Sequence, residues 1–124
     1  MSATITDAEQ IAAKIDGYVE GCRTGQATHL KEAFHPDARM FGTVGTDRYD
    51  VAIFGGMDAA VAQNPTVDHD AKILSIDVEG DAACVKVAES RFWGLDFTDF
   101  FLLSRIYGEW QIVAKCFDSS GSSA

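Results

Sequence analysis

Positive charge is scarce in this chain. Ten lysines and arginines stand against 19 aspartates and glutamates, for a formal net charge of −9. A phosphate backbone would be repelled, and no stripe of Lys or Arg breaks the pattern, so no nucleic-acid partner is expected. Cysteine is sparse too: Cys22, Cys84 and Cys116 are odd in number and far apart. They show no spacing suited to zinc or to a disulfide frame, and free thiols in a reducing cytosol fit best. No apolar run approaches the ~18 residues of a membrane span. The stretch Met1 to Asp7 carries neither the basic region nor the apolar run of a secretory signal. These absences predict a soluble, cytoplasmic protein with no membrane partner.

What the chain does have is enough for one core. Its 124 residues match a single domain over 1–124. Phenylalanine alone occurs eight times. That supply exceeds what a minimal core demands and suits a lined cavity, although large rings also simply fill a curved sheet.

Helical signals come first along the chain. Thr6 with Glu9 three residues on forms a capping box. Ile11, Ile15, Val19 and Cys22 then recur at helical spacing, with Tyr18 beside them, until Gly25 stops the helix. A short second helix runs through Leu30, Ala33 and Phe34 and must end before Pro36. Ala38 to Phe41 reads as a strand, Gly42 to Gly45 as a turn, and about Val51 to Gln63 as a third helix closed by Asn64-Pro65. From Thr66 the period changes to two. Lys72 to Glu79, Ala82 to Trp93, Phe97 to Ile106 and Glu109 to Asp118 read as antiparallel strands, and 119–124 as a mobile tail. Helices followed by a meander predict an α+β fold.

The hairpin at Tyr107-Gly108 sets a register that can be followed outward. Pairing Ile106 with Glu109 places Leu103 opposite Ile112, Phe101 opposite Ala114 and Asp99 opposite Cys116. A three-residue turn at Gly94-Leu95-Asp96 then sets Arg91 opposite Asp99 and Glu89 opposite Phe101. One face thereby gathers Glu89, Arg91, Trp93, Asp99, Phe101, Trp110, Ala114 and Cys116. The other mixes polar residues, Lys115 among them, with Phe100, Leu102, Val113 and Phe117, an apolar set suited to a subunit contact. A slip of one residue would invert these facings, bring Lys115 and Phe100 inward and remove Asp99 from the site.

Several segments carry a family resemblance: the Tyr18 helix ending at Gly25, Phe34-His35-Pro36-Asp37-Ala38, Ile76-Asp77-Val78-Glu79-Gly80-Asp81-Ala82-Ala83, Phe97-Thr98-Asp99-Phe100, and Tyr107-Gly108-Glu109-Trp110-Gln111-Ile112-Val113. On these the chain resembles the nuclear transport factor 2-like superfamily, the cone fold shared with ketosteroid isomerase and the SnoaL-like cyclases. Within it the chain is most similar to the lumazine-binding branch. The resemblance implies three helices on a strongly curved, mixed or antiparallel sheet (a cystatin-like α+β roll) and a homodimer through the convex face. It also implies that Tyr18 occupies the place of the tyrosine that donates to the substrate oxyanion in the isomerases. Their catalytic aspartate, just after the first strand, has no counterpart in Phe41-Gly42-Thr43-Val44.

The candidate chemistry centres on Asp99. An apolar surround raises a carboxyl pKa by desolvation and brings it into the range of a general base; alternatively Arg91 pairs with Asp99 and orders the rim. Tyr18 is either an oxyanion donor or a packing tyrosine with a wet hydroxyl. His35 is a proton shuttle or fixes the helix–strand turn. Trp93, Phe101, Phe41, Phe54 and Met57 offer walls for a flat ligand, with Glu89 at the polar end; Trp110 serves as wall or plain core. Asp68-His69-Asp70 alternates in direction along a strand, so no metal is expected there. Cys116 has no histidine neighbour in this register.

The leading expectation is a small-molecule-binding protein for an apolar or aromatic, polyketide-like compound. The alternative is an enzyme without cofactor, of isomerase, dehydratase or cyclase type, with Asp99 as base and Tyr18 as oxyanion donor. An interaction module with a vestigial pocket is the third reading.

Overall fold

The computed structural model describes residues 6–122. The stretch from which a signal peptide was read to be missing lies largely outside them. Helix α1 covers Asp7–Thr24 and α2 Ala27–Ala33, followed by strands β1, Phe34–Val44, and β2, Asp47–Ala52. Helix α3 is Asp58–Gln63, and strands β3 (Asp70–Glu79), β4 (Ala82–Phe92), β5 (Leu95–Ile106) and β6 (Glu109–Ser122) complete the chain.

Both ends of α1 follow from local chemistry. The Thr6 hydroxyl accepts from the Glu9 N–H at 3.2 Å and donates to Glu9 Oε1 at 3.1 Å. At the other end Gly25 takes φ 72° and donates its N–H to Gly21 O. The apolar stripe Ile11, Ile15, Tyr18, Val19 and Cys22 is buried against the sheet.

The strands form one six-stranded sheet in the order β2-β1-β6-β5-β4-β3. All neighbours are antiparallel except β1 and β6, which run parallel. The sheet curls over the helices without closing, as the α+β expectation required. Its concave side carries the core: Val85, Val87, Phe101, Leu103, Trp110 and Ile112 meet α1 and Leu30 of α2.

The boundaries differ from expectation in three places. The first strand is far longer than Ala38–Phe41, taking in Phe34, expected in the second helix, and Gly42 to Val44, expected as turn, and it pairs with a second one over Asp47–Ala52. The segment expected as one helix from Val51 therefore begins as strand and passes through a wide turn at Ile53–Met57. There Phe54 is extended and Gly55 has φ 86°, and only Asp58–Gln63 is regular helix. The glycine pair breaks the helix because each glycine costs about 1 kcal/mol in a helix interior. Finally, 119–122 is not a free tail. Strand β6 continues there, Leu95 pairing with Ser122, and Ser119 is buried with its hydroxyl donating to Asp96 O at 2.6 Å. Residues 123–124 lie outside the described residues.

Two bulges rewrite the expected facings. In β6 the pairs Leu103–Ile112 and Leu102–Ala114 are consecutive, so Val113 is an extra residue. Beyond it the parity of β6 is inverted. Lys115, Phe117 and Ser119 point inward, while Ala114 and Cys116 point out. In β4 the register shifts between Glu89 and Phe92, with Arg91 at φ 59°. This turns Phe92 inward and Arg91 out. The turn after it has two residues, Trp93 and Gly94, both at positive φ, not the three expected. Bulges of this kind re-aim side chains.

Candidate functional site

The inner face of β4, β5 and β6 brings together residues that no single strand pattern predicts. Glu89 and Asp99 are both buried, Asp99 lying across from Val87 on β4 and Phe117 on β6. Lys115 reaches the same layer from β6, buried as well. The ammonium is 3.7 Å from Glu89 Oε2 and stacks over Tyr18, Phe92 and Phe117 at 5.0, 5.7 and 5.1 Å from the ring centroids. Such contacts with ring faces stabilise a desolvated cation.

Glu89 is held by several partners. The Tyr18 hydroxyl donates to both carboxylate oxygens at 2.9 and 3.0 Å, and His69 Nε2 lies 2.7 Å from Oε1. His69 Nδ1 is buried with no hydrogen-bond partner. An ionised Glu89 can only accept at that contact, so the His69 Nε2–H donates to it. Asp99 is the opposite case: among the described residues no hydrogen bond of regular geometry reaches either carboxyl oxygen, and Glu89 alone lies close enough to share its proton.

The electrostatics split the two acids. Burial alone would raise the Glu89 pKa, but the nearby Lys115, the proton shared by Asp99 and the contact with His69 outweigh it and hold the group down at about 2. Burial, reinforced by the Glu89 charge and only partly opposed by Lys115, pushes Asp99 up to about 9. Glu89 is therefore the ionised member and Asp99 keeps its proton at neutral pH. Lys115 is disfavoured as a cation by burial, yet the two carboxyls raise its pKa above the ordinary value. Burial pushes the Tyr18 hydroxyl well up, so it stays a donor.

Above this layer opens a cavity of about 140 Å³, lined by Met40, Val44, Tyr49, Met57, Phe92, Trp93, Leu95, Phe97, Lys115 and Phe117. Among the described residues that line it, Lys115 alone is charged. Trp93 forms the rim, its Nε1 donating to Asn64 O at 2.8 Å, which ties the β4–β5 turn to the end of α3.

The expected site residues divide accordingly. Asp99, Glu89 and Tyr18 meet in the buried layer, and Trp93 and Met57 line the cavity. The Tyr18 hydroxyl is committed to Glu89 rather than free for a ligand. Arg91 does not pair with Asp99. It is exposed, and its Nε donates to Asp68 O at 3.0 Å. Phe41 sits on the outer face beside Cys116, because Met40 and Gly42 take the inward positions. Phe54 borders a separate groove with Lys31, Pro36 and Asp58. Phe101 is packed edge-on against Tyr18 at 5.2 Å, behind the cavity, and Trp110 is core under the Arg105 guanidinium at 4.8 Å. His35 Nδ1 accepts from the Asp37 N–H at 3.0 Å, a local turn contact away from the cavity.

Sequence reasoning missed Lys115, Phe117, Phe92 and His69. For β6 a signal was present: inward Trp110 and Ile112 share a parity that aromatic Phe117 breaks. His69 stood in the Asp68-His69-Asp70 run, which is not strand throughout as expected: β3 begins only at Asp70, and His69 is buried between two exposed acids in the turn that leads into it. Among the described residues, no group of three or more His, Cys, Asp or Glu is placed to hold a metal ion.

A six-stranded curled sheet over helices with a pocket in its concave face defines an NTF2-like protein of cystatin-like fold. Over residues 6–118 the chain matches the family described as "Putative lumazine-binding", and it belongs to that family. It is similar to aldolase FrzH of Cladobotryum sp., 30% identical over 117 residues and covering 94% of each chain. An NTF2-like protein of Shewanella baltica aligns with TM-score 0.85 and 26% identity, over 98% of this chain and 100% of that one. A cystatin-like domain of Nostoc punctiforme, at 14% identity and TM-score 0.72 over 95% of this chain and 80% of that one, shares the fold. No helix among the described residues is long and apolar enough to cross a membrane.

Proposed function

We propose that the chain binds a small, largely apolar carbonyl compound in the concave pocket and catalyses an aldol-type reaction on it without a cofactor. The observation that carries this is Lys115, a buried ammonium lining an otherwise apolar cavity, neutralised by Glu89 and electrostatically coupled to the carboxyl of Asp99 in the layer behind it. A ligand carbonyl oxygen seated there meets a cation in a dry setting, where charge developing on oxygen is most strongly stabilised. In its ionised form Asp99 takes a proton from the carbon next to the carbonyl, and the C–H electron pair moves into the enolate held by Lys115. The enolate carbon then attacks a second carbonyl, and Asp99 returns the proton to the new alkoxide. Tyr18 and His69 act one step back, fixing Glu89. The similarity to an aldolase supports this reading.

A second reading, binding without turnover, is supported by the family description, since lumazine is a flat heterocycle and the pocket walls are rings. In both readings the working form is a cytoplasmic homodimer joined through the outer face. Exposed Phe100 and Leu102 support this, whereas Phe117, expected on that face, lies inside.

The test is cleavage of phenyl-substituted β-hydroxy ketones to benzaldehyde, followed across pH with Asp99→Asn and Lys115→Met. Turnover by the wild type that rises with pH towards about 9, and is lost in Asp99→Asn with binding retained, supports the enzyme. Binding by the wild type with no turnover of any member of the series leaves the binding reading and ends the catalytic one.

A further inference from the structure

The wall of the cavity formed by Phe117 depends on one absent methyl group. Gly42 of β1 lies beside Phe117 of β6 in the parallel pair. A Cβ built on Gly42 would stand 2.5 Å from Phe117 Cδ1 and Cδ2. No real side chain tolerates that approach, so the phenyl ring occupies the space that every other residue type would fill. Gly42 has no left-handed backbone to explain the choice, since it is missing from the positive-φ positions. Close approach is what the glycine permits.

The ring so placed is fixed from three sides. Phe97 meets it edge-on at 5.5 Å, Tyr49 tilts against it at 6.0 Å, and the Lys115 ammonium lies 5.1 Å from its centroid. Phe97, Tyr49 and Lys115 line the same cavity. Phe117 also faces Asp99 across the β5–β6 pair. A ring lying back against β1 leaves the depth of the cavity open towards Lys115. A ring forced off β1 has the cavity itself as the nearest free volume.

We infer that Gly42 and Phe117 together set the depth of the pocket and so the size of ligand that reaches Lys115, selecting compounds with one flat ring or an equivalent short apolar body. This deepens the proposed function and rests on its reading of the cavity as a ligand site. Glycine at 42 is then a specificity-determining residue although no ligand atom touches it.

The test uses benzaldehyde and para-alkyl benzaldehydes as probes, with affinities from ligand-observed NMR. Gly42→Ala should weaken benzaldehyde binding about 10-fold or more. Gly42→Ala with Phe117→Leu should restore it to within about threefold of wild type, and Phe117→Leu alone should admit the longer para-alkyl probes that wild type rejects. If Gly42→Ala does not fold, recovery of both fold and binding in the double variant supports the inference, and folding without binding overturns it. Wild-type binding that Gly42→Ala leaves unchanged overturns this inference alone. Failure of the wild type to bind any probe overturns the pocket reading and this inference with it.

Discussion

Lys115 Nζ stands 3.7 Å from Glu89 Oε2 across the full width of the intervening strand β5. The two residues meet only because β6 changes parity at Val113. The pair brings one positive and one negative charge into an apolar interior, so the layer is close to neutral while Asp99 keeps its proton. A buried pair of this kind adds little net stability compared with a well-packed apolar core, but breaking it is costly. Its value lies in holding a cation where the cavity ends.

That asymmetry gives the first prediction. Glu89→Gln keeps the shape of the side chain and leaves Lys115 without a charged partner. The expected loss is about 3–5 kcal/mol in denaturant unfolding. Tyr18→Phe removes one donor to a buried carboxylate and should cost less, about 1.5–3 kcal/mol. The pH dependence follows from the depressed Glu89 pKa: its contribution is present above the ordinary glutamate range and is lost as pH falls towards about 2. Equal stability of Glu89→Gln and wild type at neutral pH would mean that the pair is not formed.

Asp99 gives a prediction of opposite sign. Its folded-state pKa of about 9 lies above its unfolded value, so the folded protein binds the proton more tightly. Its contribution is then fully present below the ordinary aspartate pKa and is lost as pH rises towards about 9. The steepest slope is ~1.4 kcal/mol per pH unit. Asp99→Asn carries no such proton, and its amide can donate towards Glu89. The variant should match wild type near pH 4 and become progressively more stable than it up to about pH 9, read as thermal midpoints across that range. A difference that does not widen with pH would show that Asp99 is ionised in the folded state at neutral pH.

Much of this layer could be read from the chain, and the reason is periodicity. Helix α1, the meander and the inward direction of Glu89, Asp99 and Phe101 follow from repeats of 3.6 and 2, which burial enforces. The hairpin at Tyr107-Gly108 fixed the near half of β5–β6 correctly, with Ile106 opposite Glu109 and Leu103 opposite Ile112. What could not be read was where the period breaks. A bulge adds one residue without any obligatory sequence mark, and Val113 is an ordinary strand residue. Extrapolation past it moved Lys115 and Phe117 to the wrong face, while the bulge before Phe92 did the same for Arg91. The expectation that Lys115 and Asp99 exclude one another failed for this reason. Exclusion holds for a slip of the whole strand, whereas a bulge inverts only one part of one strand, so both residues face inward.

The last prediction acts on that extra residue. Deleting Val113 would join Ile112 to Ala114 and let the ladder run without a bulge from Ile106–Glu109 outward. The facings on the two sides of the bulge are already those of a regular ladder: Leu103 and Ile112 point inward, Leu102 and Ala114 outward, Phe101 and Lys115 inward, Asp99 and Phe117 inward. Closing the ladder therefore keeps every pair and every facing and removes only the residue without a partner. Lys115 keeps its contact with Glu89, and Phe117 its place in the cavity wall. What is lost is the local bend and twist that a bulge adds to its strand. Deletion should leave a folded protein with native near-ultraviolet circular dichroism and probe affinity close to wild type. Inserting an alanine between Ala114 and Lys115 of the wild type is the contrasting change. In a regular strand it turns Lys115 and Phe117 to solvent and strips a large buried ring of its packing, at about 3–5 kcal/mol, so the native spectrum should be lost. A deletion variant that loses the native spectrum would show that the bend at Val113, and not the pairing beyond it, holds Lys115 and Phe117 in place.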